Sequence, residues 1–361
     1  MHLKNKNNVL TNNRLMVLMK SLFLLFFTLC ALQATARAVT APEKAYLKST
    51  QGTLVNVDTP TPGAQKVTVG IYGLNVYNLD LKSSTYSMTA YMWLRWKGDI
   101  DPVASLDFTN LVQDNNLTKK KLLDTPKILS NGEKYQILRL DGCFFQPYNL
   151  SSYPLDRQEL SLFVENSTET YDQCSYVFDN SSSGYDVGLK VPGWKVTGLE
   201  AKTYIHDYGT DFGEKGVASA SQYSGIKISL GLERYINFFI WKLMLPLLII
   251  LLSNWLSLLL NPTLFEVRVA MPATALLTIV FLQQSALDAI PGCSSLVLMD
   301  RIYLLAYLSV GLTLIQIIII NSRLDRDSEA SIFKMIKIDK ISFAVQVLFF
   351  VAVFAFLLIM E

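Results

Sequence analysis

Histidine is nearly missing from this chain. There are two in 361 residues, and His2 stands in the first few, which leaves His206 as the one imidazole in the body of the sequence. A His-rich zinc site or a pair of histidine bases therefore cannot be built. Cysteine is scarce as well: the four residues at 30, 143, 174 and 293 are too few and too scattered to staple a chain of this length. A surplus of one charge is absent, with Lys plus Arg at 32 and Asp plus Glu at 30. No basic field is available for a phosphate backbone, which argues against nucleic acid as a partner. Hydrolase signatures are missing too; there is no G-x-S-x-G and no H-E-x-x-H, and His206 has no nucleophile beside it in sequence. Enzymatic activity and a cofactor are accordingly not expected. What the chain does have is apolar residues, 51% against 17% charged, distributed very unevenly.

Arg14 and Lys20 precede an apolar run over 21–32 that ends in small residues, with Ala34, Ala36 and Ala38 offering a cleavage site. This reads as a secretory signal peptide over 1–38, because twelve residues fall short of the roughly 20 that a spanning helix needs. From 39 to 234 the sequence is polar and rich in turns. Met88, Ala90, Met92, Leu94 and Trp96 alternate in one run, and Ile226, Ile228, Leu230 and Leu232 in another. Period two predicts half-buried strands, and so an all-β, antiparallel sandwich, which the signal peptide would place in an extracellular or periplasmic position.

After Arg234 the character changes. The stretches 236–260, 267–287, 302–320 and 341–360 are each close to 20 residues and nearly uncharged, which predicts four transmembrane helices in a bundle over 235–361. An exported N-terminal domain sets the first helix running inward. The connector 321–340, with Arg323, Arg326, Lys334, Lys337 and Lys340, then lies on the cytoplasmic side, as the positive-inside rule requires.

The second span differs from the rest. Steps of three or four from Glu266 give Ala270, Thr274, Leu277, Phe281, Gln284 and Asp288, one helix face with a carboxylate at each end. At about 1.5 Å per residue that face is roughly 33 Å long, close to the hydrocarbon thickness. A ring of identical subunits would line an axial pore with it. Glu266 would form a carboxylate ring favouring cations, and Leu277 and Phe281 apolar rings able to dewet and close. The alternative is a packed bundle helix with interfacial acids. Pro272 interrupts the span near its start.

The whole plan resembles the pentameric ligand-gated ion channels, the superfamily of the nicotinic, glycine and GABA receptors and their bacterial relatives. Tyr153-Pro154-Leu155-Asp156 looks like the aromatic-Pro-x-Asp signature of the loop that meets the membrane domain. Trp96 to Asp99 looks like the Trp-x-Asp end of the second strand, with one residue extra, and Trp194 like the Trp that opens the ninth. Arg234 resembles the Arg that ends the tenth strand, Pro246 the proline of the first span, and Asn261-Pro262, Glu266 to Arg268 and Ile290-Pro291 the limits of the second. Gln146 and Leu160 stand where the signature disulfide would have its cysteines, and the connector is short, both as in the bacterial branch. Cys143 and Cys174 are left either to pair with each other or to stay as separate thiols.

The resemblance implies a homopentamer in a cell membrane, gated by a small molecule bound between extracellular domains and conducting monovalent cations. Tyr208 and Tyr223 fall where aromatics of the capping loop are expected; Tyr91 or Trp93 would face them from the neighbouring subunit. The Trp of the middle loop is missing, and Glu165 stands near its place. Aromatics with a carboxylate suit an amine, although another small molecule or protons would also serve. Asp80 and Asp156 match positions facing Arg234, and Pro291 the connector they would push on. A non-conducting receptor, or a subunit needing a partner, is the competing reading.

Overall fold

A computed structural model describes residues 52–57, 62–112, 117–210, 212–213, 222–288, 290 and 296–359. The predicted signal peptide and Pro291 lie outside these residues. Twelve strands come first: β1 (Thr53–Asn56), β2 (Gln65–Asp80), β3 (Thr85–Trp96), β4 (Leu106–Phe108), β5 (Thr118–Lys121), β6 (Lys127–Ile128), β7 (Lys134–Phe145), β8 (Arg157–Asn166), β9 (Cys174–Phe178), β10 (Gly184–Tyr185), β11 (Trp194–Asp207) and β12 (Gln222–Arg234). They form two sheets. One runs β1-β11-β12-β8-β4; the other runs β10-β2-β3-β7-β5, with β6 beside β7 and β9 beside β2.

The period-two runs become the inner faces of these sheets. Met92 and Leu94 on β3 and Ile226 on β12 are fully enclosed, together with Val67, Val69 and Ile71 of β2 and Leu160, Leu162 and Val164 of β8. Residues one step out of phase lie on the outer faces, which is where β8 and β12 carry Glu165, Tyr223 and Gly225. All the long strands pair antiparallel as predicted, but β9 and β10 join β2 in parallel. Both are short and reach β2 through connections rather than hairpins, the condition for parallel pairing.

The strand order also separates two cysteines. Cys143 lies on β7 and Cys174 on β9, with β3 and β2 between them, a span of about 14 Å at the usual strand spacing. Both are free thiols, the second of the two alternatives that the sequence left open. Burial pushes the Cys174 thiol up to about 12. Alkylation of the native protein at pH 8 is expected to modify Cys143, which is half-buried, and to spare Cys174 until the chain is unfolded. Peptide mapping checks this, and a Cys143–Cys174 disulfide peptide would refute it.

Four helices follow: α1 (Phe239–Leu259), α2 (Phe265–Leu287), α3 (Leu298–Arg323) and α4 (Glu329–Ile359), each long and apolar enough to cross a membrane. Helix α1 opens with a π-helical stretch over Phe239–Met244 that carries Lys242. Two helices outrun their apolar cores. Helix α3 continues to Arg323 and α4 begins at Glu329, so the predicted connector 321–340 is mostly helix. The reason is amphipathic packing: Met335 and Asp339, inside that charged stretch, are buried against the bundle. Pro272 does not break α2, which is helical on both sides of it. The backbone hydrogen bond it forfeits lies on a buried, packed face.

Candidate functional site

Three groups of residues stand out, in order from the far end of the sandwich to the end of the bundle.

The first lies on the outer face of the five-stranded sheet. Glu165, near the end of β8, is opposite Gly225 of β12, which is opposite Tyr204 of β11. A Cβ on Gly225 would stand 2.4 Å from the Tyr204 ring, so the glycine is what lets that ring lie across the sheet toward Glu165. Tyr204 donates its hydroxyl to Glu165 Oε2 at 3.4 Å and Tyr208 donates to Oε1 at 2.7 Å. His206 Nδ1 is 3.0 Å from Oε2. The rings assemble over the carboxylate: His206 stacks on Tyr208 with centroids 3.8 Å apart, and Tyr223 stands edge-on to Tyr208 at 5.9 Å. Glu165 is thereby buried, its side chain 3% exposed. Burial raises the Tyr204 and Tyr208 hydroxyls above their ordinary values, and the neighbouring Glu165 raises both further. Both phenols therefore remain donors throughout the physiological range.

Tyr91 and Trp93 lie on the other sheet and do not join this cluster within one chain. Tyr91 is half-buried between Tyr72 of β2 and Arg139 of β7. Trp93 is turned down onto Gly70, where a Cβ would meet its ring at 2.2 Å, and its indole N–H donates to Asp179 at 3.1 Å. Arg95 pairs with the same carboxylate at 2.9 Å. Trp93 thus has its polar edge occupied and its face packed.

The second group joins sandwich to bundle. Arg234 ends β12 and forks onto Asp156, with Nε at 2.6 Å from Oδ1 and Nη2 at 3.0 Å from Oδ2. Its guanidinium lies over Trp194, 4.0 Å from the ring centroid, and 5.0 Å from that of Tyr153. Gln158 adds a donor to Asp156 at 2.7 Å, and Asp156 is buried. Fork and stack together fit an Arg and not a Lys. Asp80 is elsewhere: exposed, it accepts from the Lys82 backbone N–H at 2.8 Å in its own turn. Among the described contacts Arg234 pairs with Asp156, and none joins it to Asp80. Pro154 instead sits in a loop that touches the helices directly. The backbone N–H groups of Leu298 and Met299, at the start of α3, donate to the carbonyls of Ser151 at 2.9 Å and Tyr153 at 3.3 Å. A helix N-terminus has such donors to spare, and this loop fills them.

The third group is the face of α2. Glu266, Ala270, Thr274, Leu277, Phe281, Gln284 and Asp288 are all exposed, while Arg268, Pro272, Ala275, Ile279 and Ala286 on the opposite side are buried. Thr274 donates its hydroxyl back to the Ala270 carbonyl at 2.8 Å. Gln284 reaches Asp288 at 3.3 Å.

No family model matches the chain. Similar curated proteins are the gamma-aminobutyric acid receptor subunit beta of Lymnaea stagnalis, 23% identical over 59% of this chain and 42% of its own length, and subunit beta-4 of Gallus gallus, 22% identical over 73% and 56%. The human subunit rho-3 is 22% identical over 73% of this chain and 59% of its own. In sequence this chain is similar to gamma-aminobutyric acid receptor subunits, and its sandwich and four apolar helices agree with that likeness. It spans about half the length of the relatives it matches. It is a multi-pass membrane protein with an extracellular N-terminal domain, and its relatives are receptors, not enzymes.

Several contacts of this chain were not foreseen from sequence. His206 and Tyr204 complete the Glu165 cluster, and their signal was present in the period-two spacing of Tyr204, His206 and Tyr208. A buried polar chain also runs through the bundle. Arg268 of α2 donates to Asp339 of α4 at 2.7 Å and to the Ser257 carbonyl at 3.1 Å. Gln316 of α3 reaches the other Asp339 oxygen at 3.1 Å and accepts from Ser342. Farther along, Thr313 joins Gln346 at 2.9 Å and Asn254 of α1 at 3.1 Å. All four helices meet in this one network, whose members are largely shut off from solvent.

Proposed function

We propose that this chain forms a homopentamer in a cell membrane, with extracellular ligand-binding domains over 39–234 and a pore domain over 235–361. In this reading the α2 helices line an axial pore that conducts monovalent cations and opens when a small amine binds at the Glu165 cluster. Five copies rest on the family resemblance, and the polar exposed face of α2 supports a ring of some size. The observation that carries the reading is the exposed face from Glu266 to Asp288, backed by a buried face on the same helix. Two carboxylates, a threonine and a glutamine do not suit lipid, and they do suit a water-filled axis.

Glu266 supports cations as the permeant ions. Arg268 lies two residues on, about 200° around the helix, and is held by Asp339, so it does not cancel the Glu266 charge at the axis. Receptors for gamma-aminobutyric acid conduct anions, so ion sign is where this chain is proposed to depart from its relatives. The ligand end is closer to theirs: gamma-aminobutyric acid carries a primary ammonium, the group that a carboxylate ringed by aromatics holds best.

The test is electrical. The full chain is expressed alone, amines and pH are screened for current, and reversal is read under a sodium chloride gradient. Reversal near the sodium potential is expected, with the sodium-to-chloride permeability ratio falling about tenfold in Glu266→Gln. Reversal near the chloride potential would overturn the selectivity argument and leave the fold intact. Silence under all conditions would favour a non-conducting receptor or a subunit that needs a partner.

A further inference from the structure

Glu165 is a buried carboxylate with an unusual set of neighbours. Among the described residues, two phenols and one imidazole touch it, and no Lys or Arg does. The only contacting group able to supply a positive charge is His206. It is also the more exposed of the pair, its side chain 23% exposed against 3% for Glu165. An ammonium ligand bound to Glu165 Oε2 would compete with His206 for that oxygen.

We infer that His206 is a tethered competitor for the ammonium subsite, so that a bound proton and a bound amine exclude one another at Glu165. The inference rests on the amine reading of this cluster. When the imidazole is protonated, its cation satisfies Glu165 and the amine is held off. Neutral, it offers one hydrogen bond and no charge, and it yields to a ligand that brings both. Displacement would also unstack His206 from Tyr208, freeing that ring to pack against the ligand. Protons are thus antagonists of the amine.

The other titratable groups facing the pair do not supply this behaviour. On β11 and just beyond its end, Tyr204 and Tyr208 have raised pKa values, and Asp207 is held below the usual carboxylate value, chiefly by the Gln222 side chain. Tyr223 lies opposite His206 on β12 and Asp107 opposite Glu165 on β4, while β1 places Leu54 beside His206. Tyr176 on β9 is held protonated by burial. Of these groups only the imidazole gains a positive charge on protonation, and imidazoles as a class do so between pH 5 and 8.

Propylamine is a suitable probe, since it stays cationic across that window. Calorimetry on the purified full-length protein is expected to give binding several-fold weaker at pH 5.5 than at pH 7.5, with net proton release on binding, read from two buffers of different ionisation enthalpy. His206→Gln should bind propylamine with flat pH dependence and no proton release, whereas Asp207→Asn should keep both effects. If His206→Gln does not fold, proton release on binding to the wild type, kept in Asp207→Asn, carries the test. PH-independent, proton-neutral binding to the wild type would overturn the inference and leave the amine site standing. No propylamine binding at any pH would overturn both, while the pore reading would still be decided by the Glu266 currents.

Discussion

Asp339→Asn is expected to remove most of the assembled protein from the membrane. Asp339 and Arg268 are each 1% exposed, and the guanidinium has no other carboxylate among its described contacts. Breaking a buried pair by deleting one partner costs about 3–5 kcal/mol, because the remaining charge is stranded in a low-dielectric interior. That is a large share of the roughly 5–15 kcal/mol that holds a typical domain together. The cost lands on the pore helix: Arg268 is one turn from the start of α2, and its Asp339 contact is what joins that turn to α4. Removing both charges, in Arg268→Met with Asp339→Met, should recover most of the loss, since a buried ion pair is often replaceable by well-packed apolar groups. Size-exclusion profiles of fluorescent fusions and thermal midpoints measure the difference. An Asp339→Asn protein that assembles and melts like the wild type would show that the pair is not holding α2.

Arg234→Ala is expected to silence the current while leaving amine binding in place. The substitution strands the Asp156 carboxylate, which is buried and would keep only Gln158 as a side-chain partner. It also empties the space between Trp194 and Tyr153 that the guanidinium fills. Both rings and Asp156 lie beside the loop whose carbonyls cap α3, so the loss falls on the path from sandwich to helices. A loss of about 3 kcal/mol at this contact corresponds to roughly 100-fold in the equilibrium between closed and open states. Arg234→Lys keeps the charge without the planar fork and stack and should recover only part of it. Current per surface copy and propylamine affinity are measured on the same cells. Wild-type currents from Arg234→Ala would place the coupling elsewhere, and loss of both current and binding would point to misfolding.

The architecture was legible because its signals are local. Alternation in β3 and β12 and four uncharged runs of near-membrane length are properties of consecutive residues, set by strand and helix periodicity. The exposed stripe of α2 was legible for the same reason, since a helix converts spacing directly into a face. Arg234 with Asp156 was reached through the resemblance, as the two are 78 residues apart and nothing local links them. Asp80 was likewise named through the resemblance, and its described hydrogen bond lies in its own turn. Asp339 was read as part of a charged connector, because only packing shows that the helix continues through it and turns that residue inward.

By itself, the amino-acid sequence determined that this protein is a strand-rich domain followed by four membrane-spanning helices, and which face of α2 is polar. Periodicity and run length are short-range, and each element's own backbone geometry reads them out. Tertiary structure alone decided that Cys143 and Cys174 stay apart, that His206 and two tyrosines close over Glu165, and that Arg268 is taken up by Asp339. Those outcomes depend on which strands and helices become neighbours and in what register, and a buried charge or thiol takes its partner from that arrangement, not from its position in the chain.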